Sequence, residues 1–305
     1  MAGYKLATYQ SAEGPRAGAV VGDLVYDVAA LTGQAKYVSV LDVLNDWDKA
    51  HTLLDSAAKA PRGDGKPVAQ TKFLAPVRWP GTIYCAGANY KDHVEEMLKA
   101  ANRPPEPDPH DLGLKPWFFI KAARSVTDPG ATVKISHYSK KMDWEIELCV
   151  VIGRTARDLT IENAFSCVAG YTVGNDLSAR DLGFRQQVPE TSPFRADWIR
   201  HKSFDGSCPL GPWITPAAYI ANPSKLAMKL WVNDVLKQNS NSGQMIFNMA
   251  EQISHLSTGI TLHPGDVIMT GTPAGVGAGR NEFLKAGDLV RAEIAEIGSI
   301  TNTMA

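Results

Sequence analysis

The chain has 305 residues, and Lys plus Arg (31) nearly balances Asp plus Glu (32), for a formal charge of −1. That balance makes no electrostatic case for a nucleic-acid or anionic-membrane partner, and 44% hydrophobic residues exclude a disordered chain. No apolar run approaches the ~20 residues of a membrane span, and the opening MAGYKLATYQSAEG lacks the apolar centre of a secretory signal, so a cytoplasmic protein is expected.

In chain order, YKLATYQ alternates apolar and polar residues, and GAVVGDLVYDV reads as two short strands about Gly22-Asp23. Apolar residues at Leu41, Leu44, Trp47, Leu53, Leu54 and Ala57 predict a helix over 41–58, and PRGDGKP (61–67) predicts a linker. Residues 1–72 are therefore expected to form a small N-terminal α/β domain, and 73–305 the main body. IYCAGA (83–88) predicts a strand and Tyr90 to Ala101 a helix, with Asn89 placed to cap it. Five prolines in 101–116 mark a long loop, either a lid or interface element or a plain surface insertion.

Further strands are predicted at 117–121, 143–153, 168–176, 229–233, 266–271 and 289–298, with one helix from Met245 to Ser257. Strands outnumber long helices and do not alternate with them, which disfavours a doubly wound parallel sheet. The expected fold class is mainly β with α. Cys85, Cys149, Cys167 and Cys208 lack metal-motif spacing and mostly sit in apolar surroundings, so reduced, buried thiols are expected.

DWEIELCVVIG (143–153) carries the most chemical information. Side chains alternate on a strand, so Glu145 and Glu147 point one way with Asp143 beside them, while Trp144, Ile146 and Leu148 point the other. Close, shielded carboxylates need a compensating cation: Lys, Arg, or a hard divalent ion such as Mg²⁺ or Mn²⁺. Asp176, ending the apolar strand VAGYTVGND, is either a third oxygen ligand or the cap of LSARDLGF, and Ser178 can serve as that cap instead. His93 and Glu96, three apart on a helix, share a face, so the carboxylate can orient the imidazole.

CAGANYKDHVEEM, DWEIELCVVIG, GYTVGNDLSARDL, HKSFDGSCPLGPW and GDVIMTGTPAGVG follow one another in an order that resembles the fumarylacetoacetate hydrolase superfamily, in particular its acylpyruvase-like bacterial-type members, over roughly residues 75–300. The resemblance implies a mixed β-sandwich roll, a homodimer, and a Mg²⁺ or Mn²⁺ site at Glu145, Glu147 and Asp176. It implies a general-base pair of His93 and Glu96, a lysine, Lys202, for the substrate's oxo and enolate oxygens, and substrate contacts from Thr272, Gly271, Lys121 and Arg180. Arg180 is also a candidate partner of the acidic cluster. The implied reaction is hydrolysis of a carbon–carbon bond in an acylpyruvate, a small-molecule oxo acid, to pyruvate and a carboxylic acid. Decarboxylation, isomerisation and a silent metal-binding module are the alternatives. Two positions depart from the family pattern: Ala88 and Gly183 stand where an Arg and a Gln are usual, and Gln186 or Gln187 is a candidate replacement. TGTPAGVG lacks the GK[ST] of a P-loop, which argues against nucleotide binding.

Overall fold

A computed structural model describes residues 3–305. Its strands form one large sheet, a five-stranded sheet and a short two-stranded one. The large sheet runs Lys66–Pro67, Leu24–Asp27, Gly14–Val21, Lys5–Ser11, Cys208–Pro216, Val168–Asn175, Ile146–Ile152, Val267–Met269, Ile83–Ala86 and Phe118–Lys121. The second sheet runs Val235–Asn241, Ala227–Val232, Leu289–Ile294, Gly298–Met304 and Thr132–Val133. Ile146, Leu148, Val150 and Ile152 share a core with Met228, Leu230, Val290, Ala292 and Ile294 of the second sheet. Ile253 and Leu256 of the helix Met249–Gly259 join that core. The result is the expected mainly β body with helices.

Residues 3–72 pack around Leu6, Val43, Leu44 and Leu54 in a cluster that also takes in Val77, Val151, Ala169 and Ile214 of the main body. Their strand Lys5–Ser11 pairs with Cys208–Pro216, with Leu6 opposite Ile214, so they continue the large sheet. Gly22 (φ 56) turns the chain between Gly14–Val21 and Leu24–Asp27. The end of the predicted linker is not free, since Lys66–Pro67 pairs with Leu24 and Val25.

Several predicted elements change in detail. The helix over 41–58 is two helices, Val40–Leu44 and Trp47–Ala58. Asn45 and Asp46 interrupt it, and the Asp46 carboxylate accepts from Lys36 and Tyr37 rather than capping the second helix. The helix Lys91–Ala100 has no side-chain cap. Asn89 is buried instead: it donates to the Phe247 and Thr270 carbonyls and accepts from the Phe247 N–H. The helix predicted from Met245 starts at Met249, where Asn248 and Glu251 form a capping box. The strands not predicted include Val235–Asn241 and Gly298–Met304, besides Cys208–Pro216 in the large sheet. Asn233-Asp234, both at positive φ, turns Ala227–Val232 back into the first, and Ala295–Ile297 leads into the second. All four cysteines are free and buried. No helix among the described residues is long and apolar enough to cross a membrane.

Candidate active site

The strand predicted over 143–153 breaks at Trp144-Glu145, leaving Met142–Asp143 paired with Ser178–Ala179 and Ile146–Ile152 in the large sheet. Side chains replace the missing ladder bonds. Glu145 N–H donates to Asn175 Oδ1 (2.9 Å) and Ile146 N–H to Gln238 Oε1 (3.0 Å). Asp176 N–H donates to the Glu145 carbonyl at 2.8 Å, which fixes the two residues against each other.

The period-two reading holds for the glutamates despite the break. Oxygens of Glu145, Glu147 and Asp176 lie within 4.8 Å of one another, and all three side chains are buried. Asp143 does not join them. It is fully enclosed and accepts from Gly277 N–H (2.6 Å), Ala278 N–H (3.0 Å) and Arg180 Nε (2.8 Å). The strand Ile146–Ile152 is buried on both faces, so the carboxylate face is not a solvated one.

The cations of the centre are distributed unevenly. Lys202, at the end of the helix Trp198–Lys202, bridges Glu145 Oε2 (2.8 Å) and Asp176 Oδ2 (2.6 Å). Lys121 ends its strand with its ammonium enclosed against Asp176 Oδ1 (2.6 Å). Arg180 pairs with both Glu145 and Asp143. Glu147 accepts only the Gly271 N–H (2.6 Å), and among the described residues no cation pairs with it. Burial raises the pKa of Glu145, but Arg180 and Lys202 together hold it well below the ordinary carboxylate value. Burial, then Asp176 and Glu145, pushes Glu147 well above it. A buried trio of hard oxygen donors with one uncompensated member fits a Mg²⁺- or Mn²⁺-type ion.

His93 is buried on the helix Lys91–Ala100, its Nδ1 3.6 Å from Glu96 Oε2 and without a hydrogen-bond partner. Glu96 accepts from Gly275 N–H at 3.0 Å. Burial raises Glu96, yet the His93 imidazole and that N–H bring its carboxyl below the usual value. Thr272 Oγ1 accepts from Gln238 Nε2 at 2.9 Å, and the same amide donates to the Pro273 carbonyl. The glycine-rich turn 271–278 therefore touches Glu147, Glu96 and Asp143 through its N–H groups. Sequence reasoning missed Asn175 and Gln238 and gave Asn89 a capping role instead; all three are buried amides that tie these elements together.

The loop 101–116 is docked onto the helix Met249–Gly259. His110 bridges Asp108 (2.8 Å) and Glu251 (2.9 Å). Gln186 and Gln187 are exposed, and Ala88 sits at positive φ.

The family model described as fumarylacetoacetate (FAA) hydrolase C-terminal matches residues 82–305. The human protein named oxaloacetate tautomerase FAHD2B, mitochondrial, is 40% identical over 238 residues, 77% of this chain and 70% of that protein. The fumarylacetoacetate hydrolase of Exiguobacterium antarcticum superposes with a TM-score of 0.78 at 30% identity, covering 99% of both chains. The maleylpyruvate hydrolase of Sphingobium sp. SYK-6, solved with manganese(II) and pyruvate, superposes with a TM-score of 0.74 at 28% identity over 99% of this chain and 98% of that one.

Proposed function

The chain belongs to the fumarylacetoacetate hydrolase family, and we propose that it hydrolyses the carbon–carbon bond of an acylpyruvate-type 2-oxo acid, giving pyruvate and a carboxylic acid. His93 carries this reading: a buried imidazole whose Nδ1 lies 3.6 Å from the Glu96 carboxylate, so that Nδ1–H faces Glu96 and Nε2 is left to take a proton. Glu145, Glu147 and Asp176 would hold Mg²⁺ or Mn²⁺, which when bound supplies a Lewis acid favouring negative charge on substrate oxygens. A complex of the Sphingobium relative with manganese(II) and pyruvate supports that choice of ion and ligand.

In this scheme Glu96, fixed by Gly275, holds the imidazole, and His93 takes a proton from the water that attacks the acyl carbonyl. The electron pair of the broken bond passes into the oxo acid as the pyruvate enolate, whose charge the Lys202 ammonium opposes until carbon is protonated. Thr272 is assigned to the substrate carboxylate. Lys121 and Arg180 are engaged with Asp176, Glu145 and Asp143, so we assign them to holding those carboxylates, with Gly271 holding Glu147. The chemistry belongs to residues 73–305, and the assembly is assigned as a homodimer, to be checked by sedimentation.

Keto–enol tautomerisation is the second reading, favoured by the 40% identity to a protein named oxaloacetate tautomerase. Acetylpyruvate and oxaloacetate, each with Mg²⁺ and with Mn²⁺ in ¹⁸O-water, separate the two. Label in the released acid marks hydrolysis. Loss of the oxaloacetate enol absorbance without pyruvate marks tautomerisation, and pyruvate with CO₂ marks decarboxylation. Absence of turnover under every condition would refute both readings.

A further inference from the structure

One buried ring beside the centre has no part in the arrangement above. His201 precedes Lys202 on the helix Trp198–Lys202. It is 5% exposed, and neither Nδ1 nor Nε2 has a hydrogen-bond partner. A buried polar ring without partners is costly and uncommon. Burial, followed by the charges of Lys202 and Arg180, lowers its pKa to about 3, so the ring is neutral and offers one N–H donor and one bare nitrogen.

The ring is firmly seated. It stacks on Trp198 with centroids 5.5 Å apart and planes 26° apart. Trp198 stacks in turn on Phe119, in the strand that ends at Lys121. Gly183 supplies the room: a Cβ there would lie 2.8 Å from Nδ1 and 3.0 Å from Cγ of the imidazole. Larger residues at 183 would therefore displace the ring, so Gly183 and His201 act as one unit. The charges that reach the ring are those of Lys202, Arg180, Glu145 and Lys121, which all belong to the centre. Successive helical residues point about 100° apart, so His201 and Lys202 serve different points on a ligand.

We infer that His201 is a specificity-determining residue whose imidazole hydrogen-bonds an oxygen of the bound oxo acid at the end away from the cation. This rests on the oxo-acid reading above. The test is calorimetric titration of Mn²⁺-loaded protein carrying His93→Ala, which keeps the ligand intact, with pyruvate (no second carbonyl) and with acetylpyruvate. His201→Phe keeps a ring for Trp198 and removes both nitrogens. It is expected to weaken acetylpyruvate roughly tenfold or more, leaving pyruvate and Mn²⁺ affinity unchanged, and His201→Gln is expected to recover part of the loss. Unchanged acetylpyruvate affinity in the Phe variant, or equal loss of acetylpyruvate, pyruvate and Mn²⁺, would overturn the inference. Should His201→Phe fail to fold, Gly183→Ala presses on the ring from outside: the same selective loss supports the inference, and parental binding overturns it. A His201-intact protein that binds neither ligand in Mn²⁺ sinks the oxo-acid reading itself.

Discussion

Gly271→Ala links the backbone to the acidic centre through one atom. Gly271 has φ +99, and a Cβ there would lie 2.9 Å from the Cβ of Asn89 and 3.3 Å from the Tyr90 ring. Neither neighbour has room to yield, since both are buried and Asn89 is held by three hydrogen bonds. A side chain in this region of φ costs about 1–3 kcal/mol. Any backbone shift that relieves the strain also lengthens the 2.6 Å bond from Gly271 N–H to Glu147, and a hydrogen bond to a charged group is worth about 1.5–3 kcal/mol. One displacement causes both effects, so they do not add in full, and a loss of about 2–4 kcal/mol is expected. Glu147 then lacks its fixed position, and divalent-ion affinity is expected to fall about tenfold, equivalent to ~1.4 kcal/mol. Urea unfolding reads the first quantity as a lowered midpoint at constant slope, and calorimetry with Mn²⁺ reads the second. A variant matching the parent in both would refute the assignment of this turn as the support of Glu147.

Three further substitutions separate the parts of the site. Glu147→Gln keeps an acceptor for Gly271 but removes the charge that burial, Asp176 and Glu145 disfavour; Mn²⁺ affinity is expected to fall about 100-fold with no loss of melting temperature in metal-free buffer, and retained affinity would remove Glu147 from the ligand set. His93→Ala removes a ring whose Nδ1 has no hydrogen-bond partner; kcat for acylpyruvate cleavage is expected to fall by roughly 10²–10⁴ with melting temperature and Mn²⁺ affinity intact, whereas full activity would place the proton step elsewhere. Lys121→Met strips one ammonium from an enclosed pair with Asp176; breaking such a pair costs about 3–5 kcal/mol, reduced here because Lys202 still reaches Asp176, and an unchanged urea midpoint would show that the pair contributes no net stability.

The acidic trio was legible because strand periodicity survives a local break. Glu145 and Glu147 stay on one side although Trp144-Glu145 leaves the ladder, since Asn175 and Gln238 satisfy the freed N–H groups. Asp143 lies beyond the break and turns to Arg180 and the 277–278 amides, an outcome that strict alternation cannot foresee. Gln238 shows why buried amides escape detection. Its strand, VLKQNSN, reads as polar and solvated, and most of it is not buried. Only long-range packing over Ile146, Thr272 and Pro273 encloses that one side chain. His201 is hidden for the same reason, because its seat depends on Gly183, 18 residues earlier in the chain. The capping box Asn248-x-x-Glu251, by contrast, is a local signal that does fix the start of the helix at Met249.

Charge accounting explains why the trio suits a divalent ion better than another lysine. Arg180, Lys202 and Lys121 face the carboxylates of Asp143, Glu145, Glu147 and Asp176, which leaves one negative charge in excess. The excess falls on Glu147, whose side chain has, among the described residues, one polar contact, the Gly271 amide. A proton would neutralise it and would occupy one of the oxygens a metal needs. A further ammonium would also neutralise it, but would leave the cluster with no net charge to attract an anion. Glu145, Glu147 and Asp176 could together hold a divalent ion, because their oxygens lie within 4.8 Å of one another, and such an ion would bring the enclosed cluster to one net positive charge. That is the sign that would draw the proposed 2-oxo acid out of water and oppose the charge of its enolate, with little water present to screen the attraction.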